Sequence, residues 1–417
     1  MLQPPPLRND CFALPPGVDW TPVADALALL RDRLSPVTSS ETVPLSAALG
    51  RVLAEDMVAR RPNPPQANSA VDGYGLAGPV GDGAHVMALV AGRAAAGVPH
   101  DGRVPAGEAI RILTGAALPP GVDTVIMEED VTAESGRIAF HGPLKAGANA
   151  RRAGEDISEG ETALNAGRRL TPGDLALLAA VGVAKVPVRA RLRVAVLSTG
   201  DELVEAGQPA GPGGIYDANR PMLLGVLQRL GFDPVDMGRV GDDRGALRSR
   251  LDAAADAADA ILTSGGASAG DEDHVSALLK ETGALQEWRI AVKPGRPLAL
   301  ALWAGKPVFG LPGNPVAAMV CTLVFAAPAL ALLSGQGWRE PTGFDLPAAF
   351  EKRKKPGRRE YLRARVRDGR AEVFHSEGSG RISGLSWADG LVELDDGERH
   401  IRPGDAVRFI PWGGFGL

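Results

Sequence analysis

The chain has 417 residues, 45% of them apolar and 23% charged, and carries a net charge of −5. Such a length exceeds one ordinary core and allows two to four domains, and the apolar content excludes a largely disordered chain. The acidic balance and an aromatic content of only 5% argue against a general nucleic-acid binder built on base stacking.

Two isolated cysteines, Cys11 and Cys321, offer neither a disulfide framework nor a zinc knuckle, which fits a reducing, cytoplasmic setting. The six histidines show no ligand spacing. The proline-rich start lacks a signal pattern. Val316 to Leu333 is uncharged and long enough to weigh as a membrane span. Its Ala content, Pro328 and the helix start at Asn314-Pro315 favour a buried helix instead, so no membrane partner is expected.

In chain order, residues 1–20 read as a tail. Thr21-Pro22 starts a helix with apolar residues at Val23, Ala26, Leu27 and Leu30, and a second helix is expected from Leu45 to Leu53. A proline-rich link from Arg60 leads into short strands and turns from Val86 to Asp130, read as a small β domain over 61–149. Thr171-Pro172 begins another helix, which returns the chain to the first helical region. The helical/mixed domain is therefore assigned to two segments, 21–60 and 150–190, with the β domain as an insertion.

From Arg191 the pattern becomes strand, turn, helix, repeated to about residue 334, and this predicts a parallel sheet with helices on both faces. Hairpin signals at Asp368-Gly369 and Asp396-Gly397 mark a C-terminal β domain over 335–417.

Four loops leave the carboxyl ends of the predicted strands of 191–334, where open α/β sheets bind ligands. They are Thr199-Gly200-Asp201-Glu202, Gly241-Asp242-Asp243, the glycine-rich run Ser264 to Gly270 with Asp271 and Asp273 behind it, and Pro312-Gly313-Asn314-Pro315. Glycine turns and helix N-termini suit phosphate, and carboxylates beside phosphate suit a hard divalent cation such as Mg2+. Taken singly, each Asp reads as a cap or turn former; together they point to a phosphorylated or nucleotidyl substrate. Lys293 and Arg296 add cationic groups, and the basic run from Lys352 to Arg359 reads equally as a solvated edge strand or an oxyanion grip. No P-loop and no GxGxxG fingerprint occurs. A rival reading takes Ser268, in Gly266-Ala-Ser-Ala-Gly270, as a hydrolase nucleophile, although no histidine stands in the usual order.

Seven stretches in order complete the picture: Ser69-Ala-Val-Asp-Gly-Tyr, Leu113-Thr-Gly-Ala with Leu118-Pro-Pro-Gly-Val-Asp, Arg152-Ala-Gly-Glu-Asp-Ile, Ser198-Thr-Gly-Asp-Glu-Leu, Ser264-Gly-Gly-Ala-Ser-Ala-Gly, Lys293-Pro-Gly-Arg-Pro and Gly310-Leu-Pro-Gly-Asn-Pro-Val. Together they resemble the molybdopterin molybdenumtransferase family (MoeA and the E domain of gephyrin). The resemblance implies a molybdopterin-binding α/β domain, an inserted β domain, a helical/mixed domain and a C-terminal β-barrel. It implies a homodimer whose active site lies in a cleft between subunits, and Mg2+-dependent insertion of molybdate into adenylylated molybdopterin with release of AMP.

By the same resemblance, Glu202, Asp242 and Asp273 match acids at the cation and reaction centre. Asp72, Thr114 and Asp156 match cleft residues. Thr199, Gly200, Ser264, Gly265, Gly266, Ser268, Gly313 and Asn314 belong to the turns that hold the substrate. Lys293, Arg296, Arg358 and Ser379 match positions linked to molybdate or the pterin. The upstream molybdopterin adenylyltransferase and acceptor molybdoenzymes or their chaperones are the implied partners. The chain departs from the family pattern at Ala317, Arg289 and Arg296, and a scaffold without chemistry, as in part of the gephyrin branch, is the remaining alternative.

Overall fold

The computed structural model describes residues 20–265, 274–281, 286–295 and 297–417. The chain divides into two compact units, one formed by residues 41–188 and the other by 1–40 with 189–417.

Within 41–188, the main sheet has six strands in the order Thr124–Met127, Gly73–Leu76, Glu108–Ile112, Val80–Ala94, Arg137–Leu144, Thr132–Glu134. Where short strands were expected, Val80–Ala94 runs for 15 residues, because it pairs with Arg137–Leu144 on one side and Glu108–Ile112 on the other. A second core gathers Leu53, Leu170, Leu178, Val186 and Val188 around the helix Pro172–Ala180. That helix starts as expected, with Thr171 and Asp174 forming a reciprocal capping box. The helix expected from Leu45 to Leu53 is not formed. Only Leu45–Ala47 makes a single 3-10 turn; Gly50 then takes a φ of 70°, and Val52 and Leu53 enter β-bridges with Arg169 and Val188. Tertiary pairing overrides the local helical pattern there.

The second unit is built on a six-stranded sheet ordered Asp233–Val240, Arg193–Thr199, Ala260–Ser264, Lys306–Leu311, Pro297–Trp303, Gln286–Arg289. The first four strands are mutually parallel, but Pro297–Trp303 runs antiparallel to both of its neighbours, which corrects the all-parallel expectation. Pro297–Trp303 and Lys306–Leu311 are joined by only Ala304-Gly305, with φ of 46° and 78°. A two-residue loop of that hand closes a hairpin, whereas a parallel crossover needs a dozen residues or more.

Apolar residues alternate between the two faces of the sheet. Val194, Val196, Ala260 and Leu262 pack on one side with the helices Asn219–Arg229 and Pro315–Leu333. Ala195, Leu197 and Ile261 pack on the other with Arg244–Ala257 and His274–Glu281. The first helix, Val23–Arg33, was expected with the helical/mixed segments. It instead buries Val23, Ala26 and Leu30 in the core around this sheet, because those three positions supply the apolar stripe that covers it.

Pro315–Leu333 is long and apolar enough to cross a membrane, yet its apolar window is 94% buried within the protein. It is a core helix. Thr322–Ala326 adopts a π-helical turn just before Pro328, whose ring cannot be accommodated in an unbroken α-helical ladder.

Past residue 343 the chain forms a small barrel. Arg370–Val373, Arg359–Arg367, Gly390–Leu394, Ala406–Pro411 and Phe344–Pro347 pair in succession, and the Ala348–Ala371 bridge closes the ring around Leu362, Val392, Leu394, Val407 and Phe409. The turn at Asp368-Gly369 has positive φ at both residues, as its sequence predicts. Val292–Lys293 adds a short parallel strand to this barrel, with Lys293 opposite Glu360. One loop of the α/β domain is thereby fastened to the C-terminal domain.

Candidate active site

The strand register brings the starts of the four predicted loops to one edge. Thr199 lies beside Val240, Ser198 beside Ser264, and Ser264 beside Leu311, so the parallel strands end level. Arg193–Thr199 is the first parallel strand in the chain, yet it lies between the second and the third. Connections leave it in opposite directions, and the crevice between Thr199 and Ser264 is the topological switch point where such sheets bind ligands.

Gly265 sits in that crevice. Its φ is 94°, its amide donates to Leu311 O at 3.2 Å, and a β-carbon there would stand 2.7 Å from Thr199 O and 2.9 Å from Thr199 Oγ1. No side chain fits. Gly313 lies close by: a β-carbon built on it would stand 3.8 Å from Gly265 Cα.

Asn219 ties the edge together. Its Nδ2 donates to Ser264 Oγ and to Gly313 O, both at 2.7 Å, so it joins two loops that are far apart in sequence. The amide orientation is set by Gly313 O, which can only accept. Asn219 Oδ1, Ser198 Oγ and Thr263 Oγ1 are buried at the same edge without a partner among the described residues. Arg220 holds the start of this helix by donating to Asp217, Asp236 and Glu205.

Asp201 and Asp242 exchange bonds, each backbone amide donating to the other's carboxylate at 3.2 and 3.0 Å. Asp243 caps its helix, accepting from Ala246 N at 2.7 Å, so the simple capping role holds for that residue. Glu202 and Asp242 are exposed on the same edge. Asn314 caps the apolar helix through Val316 N at 3.2 Å, with Pro315 in the first turn.

A cationic cluster adjoins the start of that helix. A β-carbon on Gly295 would come within 2.8 Å of Cys321 Sγ and 3.5 Å of Ala317 Cβ, so the Lys293 loop lies on the first turns. Burial pushes the Cys321 thiol up to about 12, which makes it an inert wall of this contact. Lys293 Nζ reaches Glu377 Oε2 at 2.6 Å and Glu360 Oε2 at 3.5 Å. Gly380 lies beside the Asn314 amide, which brings the Ser379 loop to the Gly313-Asn314 turn. Arg358 is half-buried and immediately precedes Arg359, the partner of Val292.

In the other unit, Asp72 Oδ1 accepts from both the amide and the hydroxyl of Thr114 at 2.6 Å. The Thr114 hydroxyl, then its amide, hold the Asp72 carboxyl below its ordinary range, with Arg111 adding to the effect. Gly115 N donates to Ser69 O, and Ser69 pairs with Ala150, so the motifs around Ser69, Thr114 and Arg152 form one surface. Asp156 accepts from Asn63 Nδ2 at 2.8 Å on the adjoining segment.

The structure therefore brings together Thr199, Gly200, Ser264, Gly265, Gly313 and Asn314, sets the Ser379 loop beside Asn314, and lays the Lys293 loop on the helix that Asn314 caps. It also joins Asp72 to Thr114. Gly266, Ser268, Asp273 and Arg296 lie outside the described residues. Among the described residues no three His, Cys, Asp or Glu side chains are arranged to hold a metal ion. Glu202 and Asp242 nonetheless suit Mg2+, which keeps several waters and takes one or two carboxylates plus substrate phosphates.

Sequence reasoning passed over Asn219, Glu360 and Glu377, and did not separate Lys352 from the rest of its basic run. An asparagine in the first turn of a helix that follows the switch-point loop could have signalled the first; the others meet only through long-range pairing.

A three-layer α/β domain with an anion-suited switch point, carrying a closed β-barrel, defines a class of multidomain proteins that handle phosphorylated ligands. Three family models match the chain: "MoeA N-terminal region (domain I and II)" over residues 21–182, "Probable molybdopterin binding domain" over 195–332, and "MoeA C-terminal region (domain IV)" over 345–412. The chain belongs to the molybdopterin molybdenumtransferase family. It is 37% identical over 383 residues to the molybdopterin molybdenumtransferase of Haemophilus influenzae, covering 90% of this chain and 94% of that protein. It is 34% identical over 386 residues to molybdopterin molybdenumtransferase 2 of Mycobacterium tuberculosis, covering 88% and 94%. Its fold matches the crystal structure of the molybdopterin biosynthesis MoeA protein from Pyrococcus horikoshii OT3, with a TM-score of 0.81 at 30% identity over 94% of this chain and all of that one.

Proposed function

We propose that this chain inserts molybdate into adenylylated molybdopterin in a Mg2+-dependent reaction that releases AMP and molybdenum cofactor, in the cytoplasm and as a homodimer. The observation that carries the reading is the crevice at Gly265. There the ends of the parallel strands, the Gly313 turn and the start of the Pro315–Leu333 helix meet, as the pyrophosphate of such a substrate requires, while the Gly265 amide itself is engaged by Leu311 O. Bound Mg2+ would neutralise charge on the phosphates, and Glu202 and Asp242, with Asp273, are the acids that would hold it.

The chain's own groups supply the rest. The Gly265 and Gly313 turns orient the phosphates, and Asn219 keeps those turns in register. Lys293 gives the tetrahedral molybdate dianion a cationic donor, and Arg296, Arg358 and Ser379 are proposed to join it. Asp72, whose carboxylate stays ionised well into acid, keeps Thr114 oriented, and Asp156 is proposed to serve the same substrate.

Purified protein supplied with adenylylated molybdopterin, Mg2+ and molybdate is expected to release AMP in step with cofactor formation, measured by chromatography. Folded protein that releases none would remove the assignment.

A further inference from the structure

Behind Lys293 lies a cavity of about 210 Å³, walled by Lys293, Pro294, Val316, Lys352, Phe374 and Glu377. Lys293, Lys352, Arg363, Glu351 and Glu377 bring charge to its wall, and Glu360 stands against the two lysines. Lys352 Nζ contacts Glu360 Oε2 at 3.1 Å and also Glu377 Oε1, so both lysines share the same two carboxylates.

The carboxylates are not equivalent. Glu360 belongs to a barrel strand, faces Lys293 in register, and has a side chain only 7% exposed. Glu377 sits on a loop, and its side chain is 44% exposed. The loop itself is held: Arg363 donates to Ser376 O at 2.5 Å, to Gly378 O at 3.1 Å and to Arg381 O, while resting 5.0 Å from the centre of the Phe374 ring. Its backbone is pinned on either side of Glu377, so the Glu377 side chain is the part that can swing out. Burial works against its charge, but Lys293 and Lys352 outweigh that and keep it ionised.

The two lysines share the buried Glu360, and Glu377 is the second carboxylate that both ammonium groups contact. A carboxylate presents two oxygens to two ammonium groups as a tetrahedral oxyanion would. We propose that Lys293 and Lys352 form the seat for the oxyanion substrate, that Glu360 is its permanent counter-ion, and that the Glu377 carboxylate is a built-in competitor which the incoming oxyanion displaces. The proposal rests on the reading above that this site takes molybdate, and adds Lys352 and Glu377 as binding and specificity residues. Discrimination follows from it: a dianion outbids a carboxylate for two ammonium groups, whereas chloride or acetate does not.

Molybdate binding to the purified full chain, measured by isothermal titration calorimetry, tests this. Glu377→Gln keeps the size and removes the charge, and is expected to tighten binding about tenfold; Lys352→Met keeps the stem and is expected to weaken it about tenfold. The double variant should lose the gain. A Glu377→Gln protein that binds molybdate no more tightly than the wild type, whether or not its melting temperature falls, overturns the proposal and reduces the cluster to a structural ion pair. AMP release by the wild type, measured in parallel, keeps the two readings apart. Release with an unchanged Glu377→Gln affinity removes the competitor alone, whereas no release and no molybdate binding by any form removes the transferase reading with it.

Discussion

Gly265→Ala is expected to lower turnover at least about a hundredfold and to destabilise the α/β domain by about 3 kcal/mol, through misplacement of a reacting group and backbone strain. Both effects come from the same geometry. The φ of 94° disfavours any β-carbon, and the added methyl would press on the Thr199 carbonyl at 2.7 Å. Relief requires one of two strands to retreat, and either movement opens the switch point. Urea unfolding followed by circular dichroism reads the stability, and AMP release reads the activity. Wild-type turnover in the variant would mean that the Thr199–Gly265 crevice takes no part in binding the phosphates.

Asn219→Ala is expected to cost about 2–4 kcal/mol, because it leaves the Gly313 carbonyl and the Ser264 hydroxyl without their buried donor. Turnover should fall about tenfold or more as the two loops lose their common tie. Asn219→Asp distinguishes this tie from simple packing. It preserves the shape but sets a carboxylate oxygen against Gly313 O, so it should be at least as damaging as alanine. If aspartate behaves like asparagine in both unfolding and turnover assays, the bridging role is wrong.

Much of the α/β domain was legible in the sequence because its signals are local. Strands such as Arg193–Thr199 are continuous apolar runs, and their ends carry turn residues; a parallel sheet then forces those ends to one edge. The same logic failed at the hairpin of Ala304-Gly305, where a count of two connecting residues rules out a crossover but the strand-helix rhythm on either side masks it. The first helix was misplaced for a different reason. Its amphipathic face shows that it must be covered, not by which sheet.

The cationic cluster was the least legible part. Lys293 and Glu377 are 84 positions apart, and Lys293 and Glu360 are 67 apart. Nothing in the run from Lys352 to Arg359 singles out Lys352 as the member that meets Glu360 and Glu377, since Lys354 is buried as well and donates to the Lys355 and Gly397 carbonyls. Alternation in the Lys352–Lys354 strand, paired with Arg399–Ile401, turns both lysines inward and Arg353 outward. Asp72 and Thr114 are similarly distant, yet they were found together because each lies in a recognisable stretch.

The account's central claim is that the crevice between the first and third parallel strands receives the nucleotidyl phosphate while Lys293 receives the oxyanion beside it. A crystal structure of the protein soaked with AMP and molybdate tests it most directly. The phosphate is expected within about 3 Å of the Gly313 amide, and molybdate within about 3 Å of Lys293 Nζ, with Glu377 turned away. AMP and molybdate bound elsewhere, with the Gly265 crevice and the Lys293–Glu377 pair unchanged, would contradict it.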